Sequence, residues 1–291
     1  MKKLLISILI LLNGFSFANV KAVTTITIIY DLVKNIGKDK VEVNYLCRGN
    51  QDPHFLEVMP SYMLKLRNAD LVFEVGLDLE KWLPQLIDGS RNTNIQIIDL
   101  SKDINKMEVP STKMDARYGD VHPYGNPHYY LDPLDVKIMA KEVLDALSTQ
   151  DPENASYYEK NYNDYIKMLD SKIAEWGNEM LKVKGKPIVF FHSSWIYFAD
   201  QYRIKIAGYV EPKPGIPPTP SHNAEVINLI KKAGVKTIVM ENYYSDAAPN
   251  QIAQITGVKV LKVPVGIYGM EGIDSYFKMM DYIVDQIVSN N

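Results

Sequence analysis

An α/β fold with mainly parallel sheets is predicted by three features of the sequence. Short β-rich runs alternate with helical patterns before residue 150, and the same alternation resumes after residue 182. A single long amphipathic stretch separates the two sets. Alternation of this kind indicates βα units, whose sheets place ligands in the loops beyond the carboxyl ends of their strands.

The elements follow in order. Lys21–Thr25 reads as a first strand, Ile28–Ile36 as a helix ended by Gly37, and Val41–Leu46 as an alternating strand. Pro60–Arg67 suits a short helix, Asp70–Val75 a buried strand, Leu79–Ile87 a helix and Ile95–Leu100 a strand. After the central stretch come strands at Pro187–Phe191, Ile204–Val210, Val235–Met240 and Val258–Val263. Helices fall at Asn223–Ala233, Pro249–Thr256 and Tyr276–Ile287, the first two closed by Gly234 and Gly257. Glycine just past a helix is the usual stop signal.

Between the two sets, Asp151 reads as an N-cap with Pro152 at the first helical position. Ala155, Tyr158, Tyr162, Tyr165, Leu169, Ile173, Trp176 and Met180 recur at spacings of three and four, which is one helical face. Residues 152–180 would span ~43 Å at ~1.5 Å per residue, a stiff spine packed against both sheets. Gly177 is its weak point. The division expected is 1–18 leader, 19–150 N-terminal lobe, 151–181 spine and 182–291 C-terminal lobe.

Composition narrows the function classes. The chain has 291 residues, 46% hydrophobic and 23% charged, with 32 Lys+Arg against 35 Asp+Glu. That is ordinary globular composition. It carries no basic excess with which to neutralise a nucleic-acid backbone. One cysteine, Cys47, excludes an internal disulfide and a cysteine-rich metal site. Met1-Lys2-Lys3, the apolar run Leu4–Leu12 and the small-residue pattern Ser16-Phe17-Ala18 form a cleavable secretory leader. Cleavage after Ala18 is favoured over the second small-residue site at Ala22, which would cut the first strand. No cysteine sits just after the apolar run and Cys47 is too far along, so the mature protein is expected without a lipid anchor, soluble in a periplasm.

Three of the five histidines sit where strands or Gly/Pro turns end: His54, His128 and His192, spaced 74 and 64 residues apart. A lone histidine is more often structural. Three in equivalent loops suit a zinc site with three protein ligands and an open fourth position. Spacing alone leaves this suggestive.

The segments around them carry a resemblance. Asp52-Pro-His-Phe-Leu-Glu-Val-Met-Pro-Ser61, Asn126-Pro-His-Tyr-Tyr-Leu-Asp-Pro133 and Phe191-His-Ser-Ser-Trp-Ile-Tyr-Phe-Ala199 resemble the metal-binding solute-binding proteins of ABC importers, the ZnuA/TroA type. Glu211-Pro-Lys-Pro-Gly-Ile-Pro-Pro218 and Glu241-Asn-Tyr-Tyr244 add to it. The resemblance covers essentially the whole mature chain. It implies two Rossmann-like lobes joined by a rigid helix, with His54, His128 and His192 as metal ligands between them. It implies a monomer that captures a divalent ion and delivers it to an inner-membrane ABC permease. Such proteins usually add an acidic ligand near the last strand, but Lys262-Val-Pro-Val-Gly266 holds no carboxylate. Glu241, Asp246 or water is left for the fourth position, with Glu241 preferred because it ends a neighbouring strand.

Three intact histidines favour zinc. Manganese, or iron, is the alternative within the family, and manganese prefers more oxygen donors. His122 is expected as a turn or rim residue rather than an auxiliary ligand, His222 as structural and Cys47 as buried and inert. Asp52 and Asp132 flank two of the site histidines as orienting candidates. The rival classes are an exported zinc hydrolase with an open three-histidine site, and a non-transport adhesin or metal buffer. No His-Glu-x-x-His, Gly-x-Ser-x-Gly or Gly-rich phosphate loop supports catalysis.

Overall fold

The computed structural model describes residues 19–111, 122–213 and 215–291. The leader expected at 1–18 lies outside the described residues. The first sheet contains β1 (Val20–Thr24), β2 (Val41–Tyr45), β3 (Leu71–Glu74) and β4 (Gln96–Asp99) in the order β2-β1-β3-β4. The second contains β5 (Pro187–Phe190), β6 (Lys205–Tyr209), β7 (Thr237–Glu241) and β8 (Lys259–Val263) in the order β6-β5-β7-β8. Every pairing is parallel, and the two sheets repeat one topology. Their central strands read as unbroken apolar runs because both faces are covered: Leu71, Val72 and Phe73 in β3, and Ile238, Val239 and Met240 in β7, are fully buried.

Helices α1 (Thr27–Gly37), α2 (Pro60–Leu66) and α3 (Leu83–Ser90) connect the first sheet. The strands fall within a residue or two of their expected positions. α3 starts four residues later than its apolar pattern suggests, because Pro84 occupies its first turn, where the missing N–H costs nothing. Glu80, inside the expected helix, instead accepts hydrogen bonds from Thr25 Oγ1 and the N–H groups of Val75 and Gly76.

A helix absent from the sequence reading, α4 (Pro133–Gln150), precedes the spine. Asp132 caps it by accepting the Leu134 N–H at 2.8 Å, and Pro133 opens its first turn. Val136, Met139, Ala140, Val143, Leu144 and Leu147 are its buried face.

The spine is α5 (Ala155–Met180), which runs without a break through Gly177. It differs from expectation at its start. Asp151 closes α4, its N–H bonding Leu147 O, and its side chain accepts from Asn154 Nδ2 and Tyr158 Oη. A 3₁₀ turn over Pro152–Asn154 then leads into α5. The tyrosine-rich face is buried as predicted, but against helices rather than sheets. Asn161 donates to Ile36 O of α1 at 3.0 Å. Trp176 Nε1 donates to Asp281 Oδ1 of α9 (Tyr276–Asn290) at 2.7 Å. One helix is thereby fastened to an element of each sheet's cover.

The second set is completed by α6 (Ile196–Gln201), also missed from sequence, α7 (Pro220–Ala233) and α8 (Ala247–Thr256). α7 begins three residues earlier than expected because Thr219 caps it, its Oγ1 accepting the His222 N–H.

The two sheets also meet directly beside the loops that carry the candidate site. A Cβ on Gly49 would lie 2.1 Å from Ile267 O, and one on Gly269 would lie 2.3 Å from Gly49 O. Only glycine permits this approach. Asn242 Nδ2 donates to both Gly49 O (3.2 Å) and Gly269 O (3.0 Å), tying the loop after β2 to the loop after β8. Nearby, Asp31 of α1 accepts the Tyr276 N–H at the start of α9.

Burial raises the Asp31 pKa to about 6, against which the bond from Tyr276 is a smaller, opposing effect. Below about pH 3, the carboxyl is largely protonated in folded and unfolded chains alike. Between about pH 3 and 6 the unfolded chain loses that proton first, so stability falls as pH rises, by up to about 3 kcal/mol above pH 6. Asp31→Asn keeps an acceptor for Tyr276 without the charge. It is expected to raise stability by about 1–3 kcal/mol at pH 7.5 and to leave it nearly unchanged near about pH 3, read from urea denaturation at both pH values.

Candidate metal centre

The loop after β2 carries His54, a 3₁₀ turn (His128–Leu131) ahead of α4 carries His128, and His192 lies two residues past the end of β5. The first two are set by the same local device. Asp52 Oδ1 accepts from His54 N (3.0 Å) and His54 Nδ1 (2.6 Å), and Asn126 Oδ1 accepts from His128 N (3.0 Å) and His128 Nδ1 (2.9 Å). In each, an Asx-Pro-His triplet folds a side-chain oxygen back two residues onward. His192 is held from across the sheet: its Nδ1 lies 2.5 Å from Glu211 Oε2, and Glu211 Oε1 accepts the Gly215 N–H at 3.0 Å.

These bonds assign the tautomers. With Nδ1–H donated to an oxygen, each ring turns the Nε2 lone pair inward. The residues are 6%, 1% and 2% exposed, and all three Nε2 atoms are buried without a hydrogen-bond partner. The ligand atoms of His54, His128 and His192 lie within 4.8 Å of one another, and their ring centroids are separated by 5.1, 5.3 and 5.3 Å. Burial, and then the neighbouring His54, His192 and His122 rings, hold the His128 pKa well below the ordinary imidazole value, so this ring is neutral at pH 7. Burial acts to raise the pKa of Asp52, but the hydrogen bonds it accepts from the His54 ring and N–H outweigh it and hold the carboxyl below its ordinary value.

The remaining candidates are placed differently. Glu241 ends β7 fully buried, but among the described residues it is not in the gathered group. Its Oε1 accepts the Trp195 Nε1–H at 2.9 Å, and burial raises its pKa to about 7. Asp246 is exposed at the start of α8. His122 was expected at the rim and is instead buried at 8% exposure. Its ring stands 5.2 Å from that of His54 and 6.3 Å from that of His128. Asp132 caps α4, and the orienting partner of His128 is Asn126. The shared Asx-Pro-His pattern was the sequence signal for that role. His222 contacts Tyr209 O and Glu225 on α7, and Cys47 lies buried with its thiol pushed up to about 12, chiefly by burial.

Two parallel sheets of one topology, bridged by a long helix and contributing histidines from both sides, are the architecture of a substrate-binding protein of a metal ABC importer. The family described as zinc-uptake complex component A, periplasmic (ZnuA), matches residues 22–290, and the chain belongs to it. Among curated relatives, the manganese ABC transporter substrate-binding lipoprotein PsaA of Streptococcus mitis is 27% identical over 286 residues, covering 94% of this chain and 90% of its own length. A crystal structure of ZnuA superposes with a TM-score of 0.80 at 23% identity, over 94% of this chain and 99% of its own. A manganese-bound periplasmic metal-binding protein from Candidatus Liberibacter asiaticus gives 0.78 at 26% identity, over 93% and 99%.

Glu211→Ala would release the His192 ring and the Gly215 N–H together. Partners of this kind commonly contribute 10–100-fold to metal affinity. Divalent-metal affinity of the variant, measured by competition with a chelating dye, is expected to fall by about that factor, with the helical circular dichroism signal retained.

Proposed function

We propose that the chain captures one zinc ion between two lobes, residues 19–150 and 182–291, with His54, His128 and His192 as ligands, and hands it to an inner-membrane ABC permease. The observation that carries this reading is the convergence of three buried, partnerless Nε2 atoms from both sheets. An unpaired buried polar atom costs about 1–3 kcal/mol, and a metal ion satisfies all three at once.

The donor set supports zinc: the gathered group is three imidazoles and contains no carboxylate. Manganese is the second reading, supported by the name of PsaA and by the manganese-bound structural neighbour. For the fourth position, Glu241 is bonded to Trp195 through Oε1 but keeps a buried, unpartnered Oε2, whereas Asp246 is exposed, which leaves Glu241 or water as the candidates.

Binding is favoured over hydrolysis because the acids nearest the histidines, Asp52 and Glu211, are engaged with the ring Nδ1 atoms, and Glu241 is hydrogen-bonded to an indole and is not gathered with the histidines. The protein is taken to be exported by its leader and to act as a monomer in the periplasm. PsaA is named a lipoprotein, which runs against the expectation of an unanchored protein. In this chain the one cysteine, Cys47, is buried in the core and unsuited to carry a lipid.

Competitive titration of the metal-stripped, exported protein tests the reading, with native mass spectrometry giving stoichiometry, mass and oligomeric state. One zinc per monomer is expected, bound far more tightly than manganese and lost in His54→Ala, His128→Ala and His192→Ala. Preference for manganese, or retention of zinc in any of these variants, would overturn it.

A further inference from the structure

The three histidines do not have equivalent supports. His54 and His192 donate to carboxylates, of Asp52 and Glu211, whereas His128 donates to the amide of Asn126. A carboxylate only accepts hydrogen bonds, but an amide also donates two. Asn126 is 5% exposed and uses both. Its Nδ2 donates to Ser193 O at 2.8 Å, the carbonyl of the residue next to His192, and to Glu108 Oε2 at 2.9 Å. One side chain therefore grips the His128 ring with its oxygen and the peptide following His192 with its nitrogen.

The backbone of Asn126 belongs to the same junction. Its N–H bonds Met107 O (2.8 Å), and its C=O accepts from Tyr197 Oη of α6 (2.8 Å), which in turn accepts the Met107 N–H (2.9 Å). The segment before α4 is thus locked to the turn and helix after β5, from opposite sides of the spine.

We propose that Asn126 is a positioning residue that couples the separation of the two sheets to metal release. Moving the His192 segment away withdraws the Ser193 carbonyl from the amide, and the freed amide no longer fixes the His128 ring. Loosening the junction therefore loosens one ligand while Asp52 and Glu211 keep the other two aimed. Asparagine is required here because aspartate would supply the oxygen for His128 but face the Ser193 carbonyl and the Glu108 carboxylate with a second acceptor. This inference rests on the three-histidine reading above.

The test compares wild type with Asn126→Asp, Asn126→Ala and Tyr197→Phe. Zinc dissociation into excess chelator is followed at pH 7.5, with the visible spectrum of the cobalt(II)-loaded protein as a check on ligand geometry. Asn126→Asp keeps the acceptor for His128 and loses the donors to Ser193 O and Glu108 Oε2. It is expected to release zinc at least tenfold faster than wild type, close to the Asn126→Ala rate, while its cobalt spectrum retains the intense band of a four-coordinate ion. Tyr197→Phe weakens the same junction and is expected to speed release by a smaller factor. It carries the comparison if Asn126→Asp fails to fold. Zinc release from Asn126→Asp as slow as from wild type would overturn the inference, as would a wild-type rate in Tyr197→Phe. Absence of tight zinc binding in wild type would instead overturn the metal reading itself.

Discussion

Three imidazole nitrogens, each buried and each lacking a hydrogen-bond partner, are the constraint around which the molecule is arranged. Lone pairs hidden from water are costly, and this chain holds three within 4.8 Å of one another. They are kept there by bonds on the opposite side of each ring. Asp52, Asn126 and Glu211 accept hydrogen bonds from the Nδ1–H groups, while the three Nε2 atoms stay without a partner. Two of those partners are carboxylates, so a divalent ion held by three neutral rings would meet balancing negative charge just behind them.

The histidines come from both sheets, so the geometry of the site is the geometry of the junction. Two features make that junction stiff. The glycine contacts at Gly49, Gly266 and Gly269 allow the loops after β2 and β8 to touch backbone to backbone. α5, running past both sets of elements, is hydrogen-bonded to α1 through Asn161 and to α9 through Trp176. A protein held this way favours small displacements over a wide hinge opening. The Asn126 amide, placed between His128 and the Ser193 carbonyl, would convert a small displacement into a change at one ligand.

Much of this was legible in the sequence. Every strand was found, because the parallel sheets are covered on both faces and their strands stand out as short apolar runs. The three histidines were found because each follows such a run or a Gly/Pro turn. α4 is legible in the helical spacing of Val136, Met139, Ala140, Val143, Leu144 and Leu147, but the strand–helix alternation does not call for a helix there, since no strand directly precedes it. Asp151 followed by Pro152 fits the start of a helix as well as the end of one. The choice between ending α4 and starting α5 depends on where the chain turns, which a local pattern does not encode. The orienting role fell to Asn126 rather than Asp132 because a helix start claimed Asp132 first. Nothing local in the sequence marks Glu211 as a partner of a histidine. Its contact with His192 joins strand ends 19 residues apart, visible only once β5 and β6 are paired.

X-ray absorption at the zinc K-edge of the zinc-loaded protein addresses the central claim most directly, because it reports the donors and their distances without a variant. The account predicts about four light donors near 2.0 Å, with outer-shell scattering fitted by three imidazole rings. A shell of five or six donors dominated by oxygen, or scattering from fewer than three imidazoles, would contradict it.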